Sequence, residues 1–244
     1  LTTALAAGVR LAGTLTVTGI ENGDETAALT AFTATTTGAT SVTLTADGAW
    51  SVTGSTLKTA LDDGVRLVGT LAVTDIASGD ETGASTTFST TNTGATSVTL
   101  AAADGTLSVA ASTLRADLTS GIKYLGALTV TDISSGDEIA ALTAYTSAIT
   151  GATSVTLAAT DTVWSVTTAD LATALTAGVR LAGTLTVTGI ADGDETAALT
   201  AYTSAITGAT SVTLAASDTV WSVTAANLTT ALAAGVRLAG TLTV

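Results

Sequence analysis

The sequence predicts an α/β fold, a tandem-repeat solenoid of parallel strands with short helices on one wall. The first observation behind this prediction is self-similarity at a fixed period of 57 residues, the separation of Trp164 from Trp221, which marks a repeat array. The second is that each repeat contains short segments with leucines at helical spacing and a closing glycine. The third is that these segments alternate with stretches in which Val or Leu alternates with Thr, the pattern of a strand.

Four repeats and the start of a fifth make up the chain. Their predicted bounds are 1–56, 57–113, 114–170, 171–227 and 228–244. The first repeat is one residue shorter than the others just before Trp50. This predicts a turn there, because losing one residue inside a strand would move its side chains to the opposite faces. The chain ends on LTTALAAGVRLAGTLTV, which is identical to its first seventeen residues.

The first half of each repeat is predicted to form a helix and two strands. Leu228 and Leu232 lie four residues apart, on one face of a helix. A polar N-cap should open this helix and a glycine should close it. The predicted N-caps are Thr56, Thr113, Asp170 and Asn227, and the predicted closing glycines are Gly8, Gly64, Gly121, Gly178 and Gly235. In the VRLAGTLTV that follows, apolar and polar residues alternate, which predicts two short strands bent at Gly13.

The second half of each repeat is predicted to form another helix and another pair of strands. Leu199, Tyr202 and Ile206 are spaced i, i+3, i+7, which predicts one helical stripe. The copy at 81–94 is rich in Thr and Ser, and its helix has the least support because β-branched Thr lowers helix propensity. An SVTL strand follows, then a turn at 217–218 and a strand with Trp221. An all-β solenoid is the alternative, because a 57-residue repeat also divides evenly into three shorter coils.

Composition narrows the function classes. The net charge is −13, from 20 acidic and 7 basic residues, so binding to nucleic acid through phosphate neutralisation is not expected. Cys, His, Met and Pro are absent, which removes disulfides, imidazole bases and the common transition-metal ligands. No apolar run is long enough to span a bilayer, so no membrane span is expected. A Cys-free, acidic, Thr/Ala/Gly-rich chain is typical of a secreted or cell-surface protein.

SVTAANLTTALAAGVRLAGTLTV and GDETAALTAYTSAITGATSVTLAASDTVWSVT carry a resemblance along the whole chain. They resemble the Ala/Thr/Gly-rich tandem repeats of very large bacterial surface and secreted proteins, of the adhesin and filament type. The resemblance implies an extracellular structural or adhesive role, and it carries over no catalytic residues.

A pair of acidic residues recurs at the start of the second helix of each repeat. Helix capping is the favoured interpretation, since acidic side chains stabilise the free N–H groups there. The alternative is a calcium site in this loop, because Ca²⁺ takes six to eight oxygen ligands. The candidate ligands are Asp24, Glu25, Asp80, Glu81, Asp137, Glu138, Asp194 and Glu195.

Three further sets of residues recur with the repeat. A basic residue stands at one position of every copy, as Arg10, Arg66, Lys123, Arg180 and Arg237, and predicts surface ion pairs or a lateral contact with another filament. Threonine rows at Thr14, Thr16, Thr18, Thr184, Thr186 and Thr188 resemble ice-binding surfaces, but Ala72 and Ala127 interrupt them. Trp50, Trp164 and Trp221 are predicted to fill the core, or, if exposed, to stack on sugars or to form contacts between filaments. Asn227 opens a glycosylation sequon, although an N-cap role also explains it.

No catalytic constellation is expected, since the carboxylates recur in every repeat, as scaffold positions do. The sequence therefore predicts a structural, non-enzymatic extracellular protein that forms a rod, stalk or filament. Unpaired strand edges at the two ends predict self-association end to end, or more repeats beyond this stretch. Lateral association is a further possibility, and an adhesin stalk with an ice- or glycan-binding surface is the alternative function.

Overall fold

The computed structural model describes residues 1–244 and has an α/β fold, as the sequence predicts. Its helices are α1 (Thr2–Ala6), α2 (Glu25–Ala31), α3 (Ala34–Thr37), α4 (Gly54–Asp62), α5 (Glu81–Thr87), α6 (Thr90–Thr93), α7 (Ala111–Thr119), α8 (Glu138–Ala144), α9 (Ser147–Thr150), α10 (Thr168–Thr176), α11 (Glu195–Ala201), α12 (Ser204–Thr207) and α13 (Ala225–Ala233). Its strands are β1 (Thr14–Ile20), β2 (Ser41–Ala46), β3 (Trp50–Thr53), β4 (Val65–Val68), β5 (Thr70–Ile76), β6 (Ser97–Ala110), β7 (Ile122–Ile133), β8 (Ser154–Thr167), β9 (Val179–Ile190), β10 (Ser211–Ser222) and β11 (Val236–Thr243).

The strands form two sheets. The chain also divides into two compact units, 1–108 with 113–126 and 109–112 with 127–244. In the first unit, β1, β2 and β4 pair in that order, and β3, β5 and β6 form a second run of neighbours. In the second unit the order runs β11, β10, β9, β8 and β7. The neighbouring strands pair in parallel.

Strand pairing in the second unit recurs in the same register from one repeat to the next. Val155 is the partner of Val179, and the equivalent Val212 is the partner of Val236. The tryptophans behave in the same way, since Trp164 pairs with Leu185 and Trp221 pairs with Leu242. Identical sequence thus produces identical neighbours, the nearest-neighbour packing that repeat arrays use.

The long strands bend where the sequence places glycine. Gly69 separates β4 from β5 with φ +108°, and the equivalent Gly126 and Gly183 have φ +103° and +105°. These positive values lie in the region that residues with a Cβ avoid. The bend predicted at Gly13 is confirmed by its φ of +89°, but only the strand after it forms in the first repeat.

The first helix of each repeat begins three residues earlier than predicted. Its N-caps are Thr53, Thr167 and Thr224, whose hydroxyl oxygens accept the backbone N–H of Thr56, Asp170 and Asn227. The prediction that Thr56, Asp170 and Asn227 are the N-caps is therefore wrong. The N-cap predicted at Thr113 is also wrong, because Thr113 lies inside α7. The closing glycines are correct, because Gly8, Gly64, Gly121, Gly178 and Gly235 all have φ between +78° and +86°, as expected just after a helix end.

The second helix of each repeat is two short helices rather than one. In the fourth repeat α11 ends at Tyr202, whose φ of −119° and ψ of +46° leave the helical region, and α12 begins after Thr203. The predicted stripe is wrong at Ile206, which is 39% exposed, whereas Leu199 is buried. The Thr-rich copy also forms its two helices, α5 and α6. Thr207, buried at the end of α12, donates its hydroxyl to the carbonyl of Thr203, 3.0 Å away.

Candidate functional site

The acidic loop before each second helix is organised by its glutamate. Glu25, Glu81, Glu138 and Glu195 are each the first residue of a helix, and one carboxylate oxygen accepts the N–H of the glycine two residues earlier at 2.7–2.8 Å. Three of these side chains are buried, Glu25, Glu81 and Glu195. The glutamate therefore closes the loop onto the helix start, where a negative charge is favourable.

The neighbouring aspartates do not act as predicted. Asp24, Asp80, Asp137 and Asp194 occupy the N-cap positions, but none of their side chains makes a capping hydrogen bond. These carboxylates do not converge with others either, because no three acidic side chains in the structure come together as a group that could hold a metal ion. The calcium alternative for this loop stays a prediction, since Ca²⁺ also takes backbone carbonyl and water oxygens.

The recurring arginines bind backbone carbonyls. The Nη1 atoms of Arg10, Arg66, Arg180 and Arg237 each donate to the carbonyl of the preceding valine at 2.8–3.0 Å. None of these four arginines forms an ion pair with a carboxylate, and an ion pair joins Lys58 to Asp62 on an exposed helical face. The ion-pair interpretation is therefore wrong for these four arginines, and the lateral contact with another filament stays a prediction.

Threonine rows cross the strands, but a basic side chain interrupts them. Thr186 pairs with Thr213 on β10, and Thr213 pairs with Arg237 on β11. In the first unit Thr16, Thr43 and Arg66 repeat this order. An ice-binding surface requires an uninterrupted threonine array, so this arrangement does not favour that function.

The tryptophans lie in the core. Trp50, Trp164 and Trp221 have no solvent-exposed surface. Each indole N–H donates to a backbone carbonyl eighteen residues later, that of Val68, Ala182 or Ala239, at 2.8–3.0 Å. Burial with a satisfied N–H is the arrangement expected of a core tryptophan. The core-filling prediction is confirmed, and the sugar-stacking alternative is wrong.

A polar cluster in the core of the first unit was not predicted. Tyr124 is fully buried and its hydroxyl donates to the carboxylate of the buried Asp117. The buried Ser85, from α5, lies beside the Tyr124 hydroxyl and donates its own hydroxyl to the carbonyl of Thr82 at 3.1 Å. Other repeats have Leu181, Ala174 and Leu199 at the equivalent places. The sequence signal for this cluster was that three polar residues replace the apolar residues of the other repeats.

The environment of Tyr124 strongly favours its neutral form. Burial raises the pKa of the phenol above its usual value, and the hydrogen bond to Asp117 and the charge of that carboxylate raise the pKa further. Ser85 lowers the pKa of Tyr124, because its hydroxyl can donate to the ionised phenol. The cluster is a structural network rather than a proton-transfer site, because Tyr124 stays protonated at any physiological pH.

The aromatic residue that follows α5, α8 and α11 contacts the first residue of α4, α7 and α10, respectively. Tyr145 donates its hydroxyl to the carbonyl of Ala111 at 3.0 Å, and Tyr202 donates to that of Thr168 at 3.3 Å. In the second repeat Gly54 lies under the Phe88 ring, where a Cβ would come within 3.3 Å of Cε2. The sequence signal for this contact was that an aromatic residue recurs at this position.

Strand edges remain unpaired in the first and last copies of the LTTALAAGVRLAGTLTV segment. Residues 9–12 form no strand, and Val9 is 47% exposed, whereas the equivalent Val236 in β11 is 1% exposed. On β11, Leu242 is 42% exposed, whereas its equivalent Leu185 is fully buried. The two copies thus expose opposite sides of the same strand.

Comparison of the chain with protein-family models, with curated proteins and with solved structures finds no match. None of its helices has the length and apolar character needed to cross a membrane.

Proposed function

We propose that this protein is a structural extracellular repeat protein, a rod, stalk or filament built as a solenoid. Its repeats stack on one another and share one hydrophobic core of small side chains. Its function is mechanical, and it self-associates end to end or laterally. The acidic surface, with a net charge of −13, keeps the assembly soluble through repulsion, and the absence of Cys is compatible with any redox compartment.

The observation that carries this proposal is the recurrence of one strand register. Val155 with Val179 and Val212 with Val236 are the same contact made twice. When each repeat makes the same contact with the repeat that follows it, further repeats can be added without changing any contact. That property suits a rod or filament, whose length is set by the number of repeats.

Electron microscopy and X-ray diffraction test the proposal together. The purified chain should form elongated particles of uniform width. An aligned sample should diffract at about 4.8 Å along the particle axis, the spacing of paired strands. Each repeat contributes two strand layers, so a second reflection is expected at about 9.6 Å, twice that spacing. Compact beads on flexible tethers, without these axial reflections, would contradict the proposal.

A further inference from the structure

The loop that precedes α2 contains an Asn-Gly dipeptide in a tight turn. Asn22 and Gly23 are both exposed, and Asp24 closes the turn by donating its backbone N–H to the carbonyl of Glu21 at 3.1 Å. Gly23 has a φ of +98°, in the region that residues with a Cβ avoid. Because glycine has no side chain, residue 23 itself leaves its backbone nitrogen uncovered.

Both polar groups of this dipeptide are held by their surroundings. The backbone N–H of Gly23 donates to Oε2 of the buried Glu25 at 2.8 Å. The carboxamide of Asn22 lies against the turn between β2 and β3, since a Cβ on Gly48 would come within 2.5 Å of its Oδ1 atom. The Gly23 nitrogen thus lies next to a carbonyl carbon on one side and an acceptor for its proton on the other, the arrangement that general base catalysis requires.

We propose that Asn22 is a site of spontaneous deamidation, with the Glu25 carboxylate as the base. The nitrogen of Gly23 attacks Cγ of Asn22 while its proton passes to Oε2 of Glu25, and the new C–N bond closes a cyclic imide. The bond between Cγ and Nδ2 breaks, and Nδ2 takes up that proton and leaves as ammonia. Water then opens the imide at either of its two carbonyls, so that residue 22 becomes aspartate or isoaspartate.

The fourth repeat already has aspartate at the equivalent place. Residues 22–31 and 192–201 differ at one position only, where Asp192 replaces Asn22. In that loop Gly193 has a φ of +90°, and its N–H donates to Glu195 at 2.8 Å. Conversion of Asn22 to aspartate therefore adds a negative charge and leaves the loop conformation intact, whereas isoaspartate lengthens the main chain of the turn by a methylene group.

The other two asparagines of the chain, Asn92 and Asn227, lack this arrangement. The backbone nitrogens that would attack their side chains belong to Thr93 and Leu228. Each of these N–H groups donates to a helical carbonyl rather than to a carboxylate, at 2.9 and 3.0 Å. Each nitrogen is also covered by the side chain of its own residue. These two asparagines are therefore internal references for the reaction at Asn22.

Incubation of the full chain near neutral pH, followed by peptide mapping with mass spectrometry, measures conversion at each asparagine. The Asn22 peptide should convert at least about tenfold faster than the peptides of Asn92 and Asn227. Asn22→Ser introduces the residue that the second and third repeats have at this place, Ser78 and Ser135. This variant should release no ammonia from the loop and should form no additional acidic species on ion-exchange chromatography.

A second variant tests the role of Glu25. Glu25→Gln keeps an oxygen that can accept the Gly23 N–H but removes the base, so conversion of Asn22 should slow about tenfold or more. Glu81→Gln is the matched control, because it makes the same change in the loop of the second repeat and should leave the rate at Asn22 unchanged. Unfolding the wild type in urea should lower its rate to that of Glu25→Gln, and this comparison remains valid even if that variant does not fold.

The reaction takes place within one chain, so its outcomes do not depend on filament formation. Conversion of Asn22 that is no faster than that of Asn92 and Asn227 would overturn the site. Equal rates at Asn22 in the wild type, in Glu25→Gln and in the urea-unfolded chain would overturn the role of Glu25 as the base. Fast conversion that both Glu25→Gln and urea slow supports the proposal, whether or not the protein forms a rod or filament.

Discussion

Two threonines hold left-handed backbone where a long strand turns a corner. Thr162 and Thr219 have φ of +59° and +63°, and Gly105 holds the same corner of β6 at +76°. The corner approaches the next strand closely, because a Cβ on Gly183 would lie 2.3 Å from the Thr162 carbonyl oxygen. A β-branched residue held in this region costs about 1–3 kcal/mol, so these corners are strained by close strand packing.

Replacing either threonine with glycine should stabilise the protein. The relief of backbone strain exceeds the extra entropy of a glycine in the unfolded chain, and the expected gain is up to about 1 kcal/mol for Thr162→Gly. Urea denaturation measures the free energy of unfolding. Gly105→Thr is the reverse change at the equivalent corner and should destabilise. A loss of stability in Thr162→Gly would show that the threonine side chain stabilises the corner by a contact.

The polar cluster of Ser85, Asp117 and Tyr124 should tolerate replacement only as a unit. Tyr124→Leu leaves a cavity beside Ser85 and an unpartnered buried carboxylate, and should cost about 3 kcal/mol or more. Restoring all three residues of the other repeats, in Ser85→Leu/Asp117→Ala/Tyr124→Leu, should bring stability back to within about 1 kcal/mol of the wild type. Thermal and urea denaturation compares the wild type, Tyr124→Leu and the triple variant, and a triple variant less stable than Tyr124→Leu would contradict the network.

Stability should fall at alkaline pH because of Tyr124. Its folded pKa is raised, by burial first and then by Asp117, so its contribution is complete below the unfolded pKa of about 10 and is lost as the pH rises above it. The pKa of Tyr202 is also raised, by burial and then by Asp194, and acts with the same sign. Urea denaturation from about pH 9 upward should show a steeper fall for the wild type than for the triple variant.

At the scale of the element, each first helix of a repeat starts on a residue that also ends or follows a strand. Thr53 closes β3 and caps α4, and Thr167 closes β8 and caps α10. The period of the leucines predicts the helix and its final glycine correctly, because those features repeat along the helix. The leucine period could not locate the start of the helix, because the capping hydroxyl lies a full turn before the first leucine, within the residues that alternate as a strand.

The cap assignment predicts different effects for two neighbouring polar residues. Thr224→Ala removes the oxygen that accepts the Asn227 N–H at 3.3 Å and should cost about 1 kcal/mol. Asn227→Ala keeps that N–H, and its cost should be within about 0.5 kcal/mol. Because α13 lies in the last repeat, hydrogen exchange of its amides is the suitable measurement. Equal protection in the two variants would contradict the cap at Thr224.

The periodicity of apolar residues could not predict the breaks in the second helices, for a different reason. Leu199 and Tyr202 fit the predicted stripe, but Tyr202 turns out of the helix as its hydroxyl binds the carbonyl of Thr168. That contact joins residues far apart in sequence, so no local pattern contains it. The glutamate hydrogen bonds of the acidic loop were missed similarly, since a negatively charged residue at a helix start fits both capping and metal binding.

At the scale of the whole molecule, the proposed stack must reconcile strands and helices. Paired strands are about 4.8 Å apart, whereas packed helices need about 8–10 Å. In the proposed stack each repeat contributes two strand layers, one first helix and one pair of short second helices, so helices of one class would recur about every 9.6 Å. The two classes pack side by side, as α11 does with α13 and α8 with α10. Two helical columns beside one strand stack therefore satisfy both spacings.

Removing one whole repeat should then leave a folded protein, because the new neighbours have the register of the old ones. Deleting residues 171–227 brings β8 onto β11, so that Val155 meets Val236 as Val212 does now. The particle should shorten by about 9.6 Å, two strand spacings, as small-angle X-ray scattering would measure, with circular dichroism per residue unchanged. Deleting only 200–227 is the matched control, since it removes β10 from between β9 and β11 and exposes the apolar faces of both. If the two deletions are equally disruptive, the repeats do not stack as interchangeable units.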